Sequence, residues 1–275
     1  MYFRQAMDLI TKLRYQGCIA TPPLWTNTIV SQFKQIGLDL MTQNLDDSMV
    51  FKNQRLGKLV ETFVFSHLQH QDGVSWICDN LQIQDGKQTV GEIDALYTHE
   101  DRTIHLEIVY KFYLYDTLKH YSGPLAYWIG PNRKDSLLYK LDKLHFKQFP
   151  LIYNELTKSY LDTYHIDLKT IRQQLCFKAQ LFLPYLDRTI NIQPLNPNCV
   201  AGFYLTIGKI DLFANFEFYI PRKLDWLVVP HHNVTWMPYT AALALLESDI
   251  KSKRSPLVWL KAKDSELTKC FITFW

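Results

Sequence analysis

Residues 91–113 read GEIDALYTHEDRTIHLEIVYKFY, and the fold and the chemistry both turn on this stretch. Gln88 to Tyr97 reads as a strand, and His99-Glu100-Asp101-Arg102 as a polar turn. Thr103 to Tyr113, rich in β-branched and aromatic residues, reads as the next strand. Side chains on a strand alternate between its two faces. Glu92 and Asp94 are therefore expected on one face, with Ile93 and Ala95 on the other. In the following strand His105, Glu107, Val109 and Lys111 share one face, while Leu106, Ile108 and Tyr110 share the other. Paired as a hairpin, the two strands gather carboxylates and a lysine at one place. Such a cluster repels itself, and burying it unpaired is unfavourable. A hard divalent cation that prefers carboxylate oxygens relieves it.

Just before this stretch, Trp76 to Gln84 reads as another strand, joined to Gln88 onward by the hairpin signal Asp85-Gly86. Upstream again, Ser48 to about His70 has the helical stripe Leu56, Leu59, Val60, Phe63 and Val64, ended by Asp72-Gly73. Glu61 lies on this helix four residues after Gly57, where a small residue permits close approach to the sheet and aims Glu61 at the acids. The structural alternative for Glu61 is an exposed glutamate paired with Lys58. Residues 1–45 read as two amphipathic helical pieces separated by Thr21-Pro22-Pro23.

Downstream, Asp135 to Phe149 reads as a helix with Leu137, Leu138, Leu141 and Leu144 inward. Lys140, Lys143 and Lys147 form a second stripe, and with Arg133 and Lys134 they make a local basic patch able to meet phosphates, or simply a solvated helix face. Residues 151–175 look helical, Cys176 to Tyr185 is a strand ending at Pro184, and Cys199–Ile207 and Asp211–Tyr219 are less regular. Tyr239 to Lys251 is a helix, and Pro256–Ala262 and Cys270–Trp275 are strands. Tyr110, Phe112, Tyr113 and Tyr115 read as core rather than as base-stacking rings. His105 reads as a partly buried or rim histidine, and His231-His232 as loop.

Composition narrows the class. The 275 residues are 47% hydrophobic and 21% charged, an ordinary globular balance long enough for a large core. With 16 Phe, 16 Tyr and 7 Trp, many rings must be buried. A net charge of +3 is too small to announce nucleic-acid binding by itself. Five scattered cysteines, with no C-x-x-C pair, argue against both a disulfide framework and structural zinc. The first residues are interrupted by Arg4, Asp8, Lys12 and Arg14, unlike a signal peptide, and no apolar run approaches a membrane span. A cytoplasmic location is expected.

Gly91-Glu92-Ile93-Asp94, a short turn, and a strand holding Glu107 and Lys111 together resemble the pattern of the PD-(D/E)XK nuclease superfamily over roughly residues 55–115, on its Holliday-junction-resolvase-like side. The resemblance implies that Asp94 and Glu107 hold Mg²⁺ (Mn²⁺ as a substitute), that Glu61 and Glu92 complete the metal's surroundings, and that Lys111 serves catalysis with Asp94 and Glu107. Strict spacing would put the lysine at position 109, where this chain has Val109; Lys111 is on the same face, about 6.5–7 Å further along. A narrower resemblance, carried by RLGKLVE, NLQIQ, GEIDALY, HLEIVYKFYL, GPNRKDSLLYKLDKL and KAQLFLPY, is to a bacterial family of unknown function, number 1853, which brings no activity with it.

The expectations are then an α/β (α+β) protein with a mixed central β-sheet flanked by helices, its restriction-endonuclease-like core at about 48–185. N-terminal helices fill 1–47, a C-terminal extension fills 186–275, and all form a single domain. The function expected is Mg²⁺-dependent hydrolysis of phosphodiester bonds in nucleic acid, DNA favoured, as an endo- or exonuclease and possible dimer. The alternatives are a catalytically degenerate nucleic-acid-binding or protein-interaction module on the same fold, and a structural protein whose acids serve stability alone.

Overall fold

In a computed structural model, which describes residues 8–26, 29–38 and 55–275, helix α1 (Leu9–Ala20) starts at Asp8. The Asp8 carboxylate accepts the Thr11 N–H at 2.8 Å, an N-cap. The helix stops at Thr21-Pro22-Pro23, as the prolines require. The second helical piece expected before residue 45 is absent among the described residues: residues 29–38 hold bends and the short strand β1 (Lys34–Gln35), and 39–45 lie outside them. Pairing captured this segment, since β1 adds to a strand around Gln174 and the Gln35 side chain accepts the Phe177 N–H at 2.8 Å. Helix α2 (Leu56–Gln69) buries the expected stripe; residues 48–54 of that expected helix lie outside the described ones.

Strands β2 (Val74–Asp85), β3 (Gln88–His99) and β4 (Arg102–Tyr115) form an antiparallel meander. Gly86 turns the first corner at φ +59, and Glu100 and Asp101 turn the second at φ 49 and 61. After β5 (Trp128–Ile129), α3 (Leu137–Lys143) runs into a π-helical turn, Leu144–Gln148, and a 3₁₀ turn, Phe149–Tyr153. Leu138, expected inward, is 40% exposed, because Leu137 and Leu144 already fill the face against the sheet. Only Glu155–Thr163 (α4) of the helix expected over 151–175 is α-helical. Arg172 already starts β6 (Arg172–Pro184), held by parallel pairing with β4.

The remaining elements are β7 (Val200–Thr206), β8 (Glu217–Tyr219), β9 (Met237–Pro238), α5 (Tyr239–Lys251), β10 (Leu257–Lys261) and β11 (Leu267–Thr273). The described strands belong to one sheet of order β2-β3-β4-β6-β7-β11-β10-β8-β9, with β1 on β6 and β5 on β4. β4–β6–β7–β11 pair in parallel and the outer pairs are antiparallel, so this is an α/β protein with a mixed central sheet flanked by helices. The segment after residue 186 continues the sheet.

Both faces of β4 are covered. Ile104, Leu106, Ile108, Tyr110 and Phe112 pack with α1 and α2, while Val109 and Tyr113 pack under Leu137, Leu144 and Phe149. Tyr110, Phe112 and Tyr113 are buried core, as expected. All five cysteines are free thiols, and no helix among the described residues is long and apolar enough to cross a membrane.

Candidate metal centre

Strands β3 and β4 pair from His99↔Arg102 as far as Ala95↔Leu106 and then part, β3 continuing beside β2 and β4 beside β6. Asp94 sits where they divide. Its carboxylate accepts the Ile108 N–H at 2.7 Å, taking the place of a ladder partner for a donor that must not be left unpaired. The strict alternation expected for β3 is interrupted here. Ile93 packs with Leu96, whereas Ala95 and Tyr97 pack with α2. Between Asp79↔Ala95 and Leu81↔Ile93, Asn80 faces Asp94 with φ 50, so the partner strand is irregular at the same point. The parting opens the sheet, and groups from its two faces meet through the gap.

From the α2 side come Glu61 and Glu92. Carboxylate oxygens of Glu61, Glu92 and Asp94 all lie within 4.8 Å of one another. Lys58 reaches into this cluster, its ammonium donating to Glu61 at 2.7 Å, to Asn80 at 2.6 Å and to Glu92. The Lys58–Glu61 pair foreseen as the structural alternative is thus present, within a larger acid group. Gly57 does not serve close approach: a Cβ added there would meet nothing within 4 Å.

From the opposite side comes Glu107, wholly buried together with His105. His105, expected partly buried or at a rim, has its Nε2 3.1 Å from Glu107 and its Nδ1 3.2 Å from the Gln173 amide. The Gln173 amide nitrogen can only donate, which makes Nδ1 the acceptor and leaves the Nε2 proton to face Glu107. Gln148, at the end of the π-helical turn, donates to the other Glu107 oxygen and accepts from Lys140 at 2.7 Å. Lys140 therefore leaves the expected basic stripe and turns toward the acids; Lys143 and Lys147 stay exposed.

Electrostatics follow from burial with too little positive charge. Burial first, and then the Asp94 charge against the opposing Lys58 hydrogen bond, raise Glu61 to about 7. Burial and the Glu107 charge raise Asp94 to about 7, despite the Ile108 N–H. Burial lifts Glu107 to about 8 against the pull of Lys140. Burial also lowers His105 to about 4, keeping it neutral, and lowers Lys140 to about 8 although Glu107 opposes the shift. Carboxyls that protonate near neutrality are poised to exchange protons for a metal ion.

Two expected site residues lie elsewhere. The Lys111 ammonium is engaged by Asp135 rather than by Glu107, because a side chain leaving β4 one repeat beyond Val109 meets the 130–135 loop first. Arg133 makes a two-pronged pair with Asp116 at 2.7 and 3.0 Å and lies 4.6 Å over the Trp275 ring, so its charge is spent inside the fold. Lys134 is exposed. Sequence reasoning missed Gln148 and the inward turn of Lys140. Gln148 is placed by the π-helical turn, which no periodicity announces, and Lys140 donates to it from α3.

Among known proteins, no curated protein and no solved structure matches the chain. The family model described as "Domain of unknown function (DUF1853)" matches residues 15–271. That match takes in every residue of the acid cluster and nearly the whole sheet, and the chain belongs to the DUF1853 family.

Proposed function

We propose that this protein is a divalent-metal-dependent nuclease, hydrolysing phosphodiester bonds at the parting of β3 and β4. The observation that carries the reading is the Glu61, Glu92 and Asp94 oxygen cluster within 4.8 Å, flanked by the buried Glu107. The donor set suits Mg²⁺ or Mn²⁺, since both take carboxylate oxygens. Lys58 occupies the cluster as a single positive charge on a flexible stem 45% exposed, so it can yield to a doubly charged ion. Glu61, Glu92 and Asp94 would hold the metal, with Glu107 beside Asp94. When bound, the ion polarises a phosphate oxygen and acidifies a water.

This chain's own groups supply the rest. The Ile108 N–H fixes the Asp94 carboxylate, and Gln148 and neutral His105 orient Glu107. Lys140 replaces Lys111 as the amine of the site. Depressed to about 8 beside Glu107, it can carry or release a proton near neutral pH and oppose charge that develops on the phosphate. The resemblance to the PD-(D/E)XK pattern supports the reaction class.

A second reading, a binding module on the same fold without catalysis, is favoured by Lys58 already neutralising Glu61 and Glu92 and by Lys111 being taken up by Asp135. Cleavage assays over linear, nicked, branched and single-stranded DNA and RNA with Mg²⁺ or Mn²⁺ separate the two. The nuclease reading expects metal-dependent cleavage of at least one substrate, lowered about 100-fold or more in Asp94→Asn. Binding with no turnover on any of them supports the module.

A further inference from the structure

A groove of about 770 Å³ adjoins the acid cluster. Ile108 belongs to both, lining the groove while its N–H holds Asp94. One wall is the start of α2, with Arg55 and Gly57; the other is the 3₁₀ turn Lys223–Leu227, with Lys223 and Trp226. Lys111 and Lys134 stand along the same groove. Among the described residues four cations line it; Lys111 has a carboxylate, Asp135, while no described acid pairs with Arg55, Lys134 or Lys223, and the Lys223 ammonium lies 5.8 Å over the Trp226 ring. The α2 start adds to this, because its N-cap residue, Arg55, makes no side-chain cap bond and its N–H groups favour an anion. Trp226 is partly exposed and packs edge-on against Phe112 and Phe271 at 5.4 and 5.1 Å, which leaves a ring held rigidly in a basic channel.

We infer that this groove is the path of a single polynucleotide strand entering the acid cluster, with phosphates on Arg55, Lys134 and Lys223 and a base against Trp226. The inference rests on the nuclease reading and names its substrate as single-stranded. A basic groove with an aromatic platform suits a flexible single strand. A pocket of roughly 300 to 1,000 Å³ is the size of a small ligand, room for a short run of one strand. The groove also gives a use to the chain beyond residue 186, which supplies Lys223 and Trp226.

The test is fluorescence anisotropy with labelled oligo-dT and a duplex of equal length, over a range of salt and in EDTA, so that metal and turnover play no part. Wild type is compared with Lys134→Ala/Lys223→Ala and with Lys143→Ala/Lys147→Ala, whose lysines lie outside the groove. All four side chains are exposed, and thermal melts confirm that the variants fold. Expected is tighter binding of oligo-dT than of duplex. The groove variant should bind at least tenfold more weakly, its slope of log K against log salt smaller by about 1.4 for two lost phosphate contacts, and the other pair should bind like wild type. Duplex preferred to single strand, equal loss in the two variants, or no binding of oligo-dT overturns the groove. Metal-dependent cleavage that persists in any of those cases leaves the nuclease reading standing.

Discussion

At the residue scale the chemistry turns on which amine serves the acids. Lys111 shares a β4 face with Glu107, as strand alternation implies, yet it ends on Asp135. Lys140 arrives from α3 and is linked to Glu107 through Gln148. Lys140→Ala should therefore lower kcat by about 100-fold or more, the scale of a lost general acid or base. Lys111→Ala should act mainly on KM, through the groove; steady-state kinetics on a cleaved oligonucleotide separates the two. The acids also set a pH dependence. Glu61, Asp94 and Glu107 titrate in the fold at about 7, 7 and 8, above their ordinary 4.5, 3.8 and 4.5, so the folded state binds more protons than the unfolded chain across that window. Stability conferred by these groups is complete below their unfolded values and is lost as pH rises through 7 to 8. His105, lowered from 6.5 to about 4, works the opposite way below pH 6.5 and offsets one of the three carboxyls. Melts of metal-free protein should fall in Tm between pH 5 and 8, and Mn²⁺ should raise Tm more at pH 8 than at pH 5. Residue type singled out Glu61, Glu92, Asp94 and Glu107, but alternation put the last three on one face, whereas the break at Asp94 leaves Glu107 on the opposite side from Glu61 and Glu92, outside their oxygen cluster. Nor could the sequence offer the reach of a lysine, which depends on what packs opposite.

At the element scale the site is made by a departure from regular structure. Asp94 leaves the ladder, Asn80 opposite it is irregular, and the π-helical turn brings Gln148 over Glu107. Strand alternation and the turn signals at Asp85-Gly86 and at 99–102 placed the meander correctly. The interruption at Asp94 was invisible because it arises from β3 and β4 taking different neighbours, a tertiary event. The helix expected over 151–175 failed for the same reason: β4 recruits Arg172 onward as a strand, overriding local preference. The groove wall is also set by packing between elements. Gly17 on α1 lies against the carbonyl of Leu227, at the end of the turn carrying Lys223 and Trp226, and a Cβ there would fall 2.0 Å from that oxygen. Since backbone cannot yield as a side chain can, Gly17→Ala should destabilise by about 1–3 kcal/mol or more. Urea unfolding measures this, and anisotropy should show weaker oligo-dT binding in the same variant.

At the scale of the whole molecule, one sheet joins the acid cluster to strands from the far end of the chain. Tyr204, Leu227, Trp259 and Phe271 lie in the same core as α1, α2 and the inner face of β4. A fragment ending at residue 186 would expose the edge of β6 and strip that core, so it should give no cooperative thermal transition by circular dichroism where the full chain gives one. Residues 186–275 read from sequence only as an extension of the single domain, because β7 and β8 are short and flanked by 3₁₀ turns, which leave no clean period to read. The measurement that bears most directly on the central claim is calorimetric titration of the full chain with Mn²⁺ at pH 7.5. One saturable site per chain is expected, with proton release that varies with buffer ionisation heat and loss of the signal in Asp94→Asn. An Mn²⁺ titration without saturable heat, or one unchanged by Asp94→Asn, would contradict that claim.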